Sequence, residues 1–178
     1  LTMISDMAKH LDLRQMEEVV RVIKKAKIID VYGTDNSANA AAELSGRMLH
    51  LDLPAELLGS VFQKSAPAIW EKTWPSVLHI RRTQAVIDSL AAAKQAGAVT
   101  VAVTGGQTSE LARIADYIFI TPTIHFSEIS RWISSRISQM AFVDALCGAI
   151  MLSDPERFDR MLIQSTKEFE QDMHHKEE

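Results

Sequence analysis

A chain of 178 residues that is 47% apolar and 24% charged has the composition of an ordinary globular domain, which excludes collagen-like, low-complexity and disordered classes. At this length folding buries roughly 70% of the surface that the unfolded chain exposes, so neither disulfides nor a structural metal is required. Nineteen basic against 23 acidic residues leave a net charge of -4, the wrong sign for a surface that neutralises several DNA phosphates. No apolar run reaches the roughly 18 residues of a membrane span. The best candidate, Met140 to Leu152, is interrupted by Asp144. Leu1 to Asp6 lacks the basic region and apolar block of a secretion signal, and a first residue other than Met points to a piece of a longer chain. The lone cysteine, Cys147, lies among Ala145, Leu146, Gly148 and Ala149, which suits a small buried thiol and a cytoplasmic setting.

In chain order, Met7, Leu11, Met16, Val19, Val20 and Ile23 recur at mostly helical intervals and predict one N-terminal helix from Ser5 to Lys27. Ile28 to Tyr32 predicts a buried strand that turns at Gly33, and Asp35, Asn36 and Ser37 can cap an Ala-rich helix from Ala38 to His50. Strands follow at Ala55 to Leu58 and Val77 to Ile80, then a helix from Thr83 to Gln95 that stops at Gly97. Ala98 to Thr104 is a β-branched strand, Ser109 to Ile114 a short helix and Tyr117 to Ile120 a further strand. Helices are predicted at Ser130 to Leu152 and Glu156 to Met173, with a stop at Ser153, Asp154 and Pro155. Short apolar strands alternating with helices imply a three-layer α/β/α sandwich around a parallel sheet of about five strands. The organisation expected is one domain over residues 1–178, with an N-terminal helix at 1–27, an α/β core at 28–122 and C-terminal helices at 123–178.

In an open parallel sheet, ligands bind outside the carboxyl ends of the strands. Three loops there carry candidate chemistry. Gly33, Thr34, Asp35, Asn36 and Ser37 bring hydroxyl and amide donors to a helix start that favours anions, although turn and capping chemistry accounts for them as well. Arg81, Arg82 and Thr83 open another helix; paired guanidinium groups clasp a phosphate or carboxylate, or stay solvated. Thr104, Gly105, Gly106, Gln107, Thr108 and Ser109 repeat the pattern of strand, glycine turn and hydroxyl-rich helix start. His125 and Glu128 could move a proton between sugar carbons, or sit as solvated neighbours on one turn. His174 and His175 lack the further ligands that a metal site needs, and no metal or cofactor is expected.

The order of these loops from Ile28 to Pro122 resembles a SIS (sugar isomerase) domain, a phosphosugar-binding α/β fold. The family's first loop reads Gly-x-Gly-x-Ser, matched from Gly33 to Ser37 with Asp35 in place of the second glycine. Its second reads Ser-x-Ser-Gly-x-Thr, of which Leu78, His79, Ile80, Arg81, Arg82 and Thr83 keep only the threonine. The stretches Gln84 to Thr104 and Ser109 to Asp116 fit the family closely. Beyond the core, Ser134 to Gln139, Asp144 to Leu146 and Asp154 to Arg157 resemble the tail of the RpiR family of sugar-phosphate-responsive bacterial transcription regulators.

What the resemblance implies is an effector-binding domain that senses a phosphorylated sugar or sugar derivative and works as a homodimer. In such a regulator DNA is met through a helix-turn-helix domain, which is not expected within this acidic chain. The alternative is a stand-alone sugar-phosphate isomerase. Binding would rest on Gly33, Asp35, Asn36, Ser37, Arg81, Arg82, Thr83, Thr104 and Ser109. The altered second loop has two readings. As written, it lacks the family's serines and glycine. Alternatively, with suitable synonymous codons, the nucleotides for Thr73 to Ile80, read one base earlier from the end of the Lys72 codon into that of Arg81, encode Asp-Met-Ala-Val-Gly-Thr-Ser-His-Ser, so that two compensating frame errors, around Lys72 and Arg81, restore the family pattern. An excess of apolar residues on Ser130 to Leu152 also asks for cover by a second helix or another subunit.

Overall fold

The computed structural model describes residues 2–33, 37–58, 76–80, 84–122, 128–161 and 163. Where one N-terminal helix was predicted, the chain forms two, α1 (Thr2–His10) and α2 (Leu13–Lys25). The break is a cap: the Asp12 carboxylate accepts hydrogen bonds from the backbone N–H groups of Arg14 (2.9 Å) and Gln15 (3.2 Å), satisfying donors that a new helix start would otherwise leave unpaired. The core elements follow as β1 (Ile29–Gly33), α3 (Ala38–His50), β2 (Ala55–Leu58), β3 (Ser76–Ile80), α4 (Gln84–Gln95), β4 (Val99–Thr104), α5 (Glu110–Ile114) and β5 (Tyr117–Ile120). A long helix, α6 (Glu128–Leu152), and α7 (Pro155–Met161) complete the described chain. The part of the last predicted helix beyond residue 163, including Phe169 and Met173, lies outside the described residues.

The five strands form one parallel sheet in the order β2-β1-β3-β4-β5. Alternation along the strands divides the core. Ile29, Val31, Val101, Val103 and Phe119 pack with α2, α3 and α6 on one face. On the other, Ala102 meets Val86, Ile87 and Leu90 of α4 and Leu111 of α5, while Tyr32 meets Leu58 and Ala93. Helices on both faces explain why the strands are mostly apolar rather than strictly alternating. Gly97, at φ 86°, ends α4 where the sequence placed a stop.

The outer strand β5 is closed by a side chain. Gln15 donates from Nε2 to the Ile118 carbonyl (2.7 Å), and its Oε1 accepts from the Ile118 N–H (3.1 Å), imitating the neighbour that an edge strand lacks. Helix α6 packs against α1, α2 and α3. Helices of the same chain therefore cover much of the apolar surface for which the sequence asked cover, with Ile137 (40%) and Leu152 (81%) left exposed. Among the described residues no single helix is long and apolar enough to cross a membrane; the bent pair of 136–152 with α7 has the composition, but its Phe142, Val143, Leu146 and Ile150 are buried in the core.

Candidate functional site

The sheet order reverses between β1 and β3, and in such sheets the ligand crevice lies outside the carboxyl ends of the strands at that point. Gly33 stands opposite Ile80, and Ile80 opposite Val103, so β1, β3 and β4 end side by side at one edge. All three candidate loops begin there. Thr34, Asp35, Asn36, Arg81, Arg82, Thr83 and His125 lie outside the described residues, and Glu128 is described only as the first residue of α6.

Gly33 is required by space. A Cβ on it would stand 2.6 Å from the Ala41 Cβ and 2.6 Å from the Ser37 carbonyl oxygen, so its missing side chain lets the first turn of α3 seat on the end of β1. Ser37 is fully buried at the head of α3, already helical at φ -90° and ψ -9°, and its hydroxyl caps none of the helix amides. It turns instead toward α6, where Gln139 Nε2 donates to Ser37 Oγ at 3.0 Å. The preceding residue, Ser138, donates its hydroxyl to the Pro122 carbonyl at 2.8 Å. Adjacent residues of α6 thus hold the chain leaving β1 and the chain leaving β5.

Thr104 and Ser109, expected as ligand hydroxyls, form a relay of their own. Thr104 donates to Ser109 Oγ (3.2 Å), and that oxygen accepts from the Ala112 N–H (3.2 Å), capping α5. The sequence passed over Gln139. It lies inside a stretch that carried the family resemblance, but a partner 102 positions away leaves no local pattern to read. Burial pushes the Cys147 thiol up to about 11, with nearby acidic groups adding to it and Arg47 opposing, which keeps it protonated and inert as the sequence suggested. Burial likewise raises the Tyr32 phenol, helped by the charges of Asp30 and Glu56, so it stays neutral.

A concavity of about 790 Å³ lies elsewhere, between α2 and the end of α6, lined by Leu13, Met16, Val20 and Leu152. It is remote from the strand ends, and the topological argument favours the carboxyl edge as the ligand site.

No protein-family model matches the chain. It is similar to known proteins nonetheless. An uncharacterised HTH-type transcriptional regulator of Haemophilus influenzae is 24% identical over 149 residues, which are 82% of this chain and 52% of that protein. The chain therefore spans about half the length of that regulator. Among solved structures, the sugar isomerase domain of the RpiR transcription factor from Sphaerobacter thermophilus superposes with a TM-score of 0.81 over 93% of both chains at 24% identity. The fold is that of a sugar isomerase (SIS) domain. The Vibrio vulnificus NanR protein complexed with ManNAc-6P shares this SIS fold at a TM-score of 0.78 and 19% identity, over 94% of this chain and 64% of that one.

Proposed function

We propose that this SIS-type chain is the phosphosugar-sensing, effector-binding domain of a bacterial RpiR-like regulator of carbohydrate metabolism. The observation that carries the reading is that regulators of this kind meet the chain in both sequence and fold, and that the fold likeness runs through the C-terminal helices as well as the α/β core. In this reading residues 1–178 form a single domain, cytoplasmic and homodimeric, and DNA contact belongs to a helix-turn-helix domain elsewhere in the protein. The ligand is a phosphorylated sugar, the class bound by NanR in its complex with ManNAc-6P.

Chemically, the sugar phosphate would sit across the switch point between β1 and β3. Asp35, Asn36 and Ser37 would meet it from the head of α3, and Arg81, Arg82 and Thr83 from the head of α4. Thr104 and Ser109 would line the third side, Ser109 through the proton of the hydroxyl whose oxygen caps α5. With the second loop as written, affinity depends on the charges of Arg81 and Arg82 rather than on a backbone-amide cradle and falls steeply with salt. The test is calorimetric titration with ManNAc-6P and a panel of aldose and ketose phosphates at two salt concentrations, alongside a turnover assay. Salt-sensitive binding without turnover, weakened by Arg81→Ala, is the expected result. Robust isomerisation abolished by Glu128→Gln would replace the sensor with an isomerase.

A further inference from the structure

The amide of Gln139 is held at one end only. Its Nε2 donates to Ser37 Oγ at 3.0 Å, yet its Oε1, in a side chain only 5% exposed, has no donor among the described residues. Leaving a buried amide oxygen unpaired costs stability, and an unbranched apolar side chain of similar length would avoid that cost. The bond to Ser37 accounts for one end of the amide; the fold alone gives no reason for the oxygen at the other. Exchanging the two amide atoms only moves the vacancy: Ser37 would then donate to Oε1 and Nε2 would be left unfilled. In either orientation a polar atom at the head of α3, a helix of 13 residues whose amides Ser37 does not cap, waits for a partner from outside the described chain.

We propose that Gln139 is a specificity-determining residue, whose vacant amide atom binds a hydroxyl of the sugar portion of a phosphosugar while its other end positions Ser37. This rests on the sensor reading above and adds to it the contact that tells a sugar phosphate from phosphate alone. A sugar hydroxyl both donates and accepts, so it completes the amide in either orientation. Inorganic phosphate near neutral pH is richer in acceptors than in donors and has no carbon framework to carry a hydroxyl to this depth while its oxygens stay at the loops, so it satisfies Oε1 less well than a sugar hydroxyl does. Coming from α6, the contact would also join the ligand to the helix that packs on α1 and α2.

The test is Gln139→Met, with Gln139→Leu as a second variant should the first fail to fold, compared with the unaltered chain in calorimetry and thermal unfolding. The probes are inorganic phosphate and ManNAc-6P, or whichever aldose or ketose phosphate of the panel binds tightest. The expected result is a loss of about tenfold or more in sugar-phosphate affinity, little change toward inorganic phosphate, and an unliganded Tm shifted by only a few degrees, because losing the Ser37 bond and removing the unpaired oxygen oppose each other. Equal sugar-phosphate affinity in variant and unaltered chain overturns this inference alone. A lowered Tm with both probes weakened alike makes Gln139 a structural peg and also overturns it. If the unaltered chain binds no member of the panel, the sensor reading falls and this inference with it.

Discussion

The two ends of the sheet handle their polar groups in opposite ways. At the amino end, the Asp116 carboxylate accepts from the Thr100 N–H (2.8 Å) and hydroxyl (2.7 Å) and pairs with Lys94 (2.9 Å), while its own N–H donates to Thr100 Oγ1 (3.0 Å). That cluster is closed on itself. At the carboxyl end, Ser37 and Gln139 share one hydrogen bond and leave an amide oxygen without a donor among the described residues. A closed cluster stabilises the fold; an open one holds binding capacity at some cost in stability, as functional sites characteristically do.

Substitutions at each end sharpen the contrast. The largest effect is expected at Gly33, where even one methyl group meets the Ser37 carbonyl at 2.6 Å. Gly33→Ala should cost about 1–3 kcal/mol, a fall of about 3–10 °C in Tm for a domain of this size. By displacing the head of α3 it should also weaken sugar-phosphate binding, which calorimetry reads directly. An unchanged Tm would mean that α3 does not seat on β1 as described.

Asp116→Asn should have a smaller effect, about 1 kcal/mol at pH 7, because the carboxylate side chain is 35% exposed. Burial alone would raise the Asp116 pKa, but hydrogen bonds from Lys94 and Thr100 outweigh it and hold the carboxyl below its usual value. A depressed folded pKa means that the stabilisation is fully present above the unfolded carboxylate pKa, roughly 4, and is lost as pH falls through the lower folded value. Urea midpoints of the two proteins should therefore differ at pH 7 and converge in acid below about pH 4. Ligand affinity should not change, since the cluster lies at the end of the sheet away from the loops. Midpoints that stay equally far apart in acid would remove the charge from the explanation.

How much of this was legible beforehand depended on distance along the chain. The bounds of α3, β2 and β5 follow from local composition and turn residues, and the parallel sheet follows from strands too apolar to face water. The break between α1 and α2 was hidden because apolar residues keep recurring across it, with only the five-residue step from Leu11 to Met16 out of period; the side chain of Asp12, folded back on Arg14 and Gln15, shows that a second helix starts. Ser109 was visible as a hydroxyl at a helix start, yet its oxygen turns out to cap α5. The pairings of Gln15 with Ile118 and of Gln139 with Ser37 join residues more than 100 positions apart. No periodicity records such a contact, because only the folded sheet brings its two ends together.

The measurement that tests the central claim most directly is amide hydrogen exchange across the whole chain, with and without a saturating sugar phosphate such as ManNAc-6P. If phosphosugar sensing takes place at the carboxyl edge, added protection should concentrate at the head of α3, around Asn39 and Ala40, and in α6 around Ser138 and Gln139, with Thr100 and Asp116 unaffected. Protection confined to α2 and the end of α6, around Met16 and Leu152, would place the ligand in the apolar concavity and contradict the account.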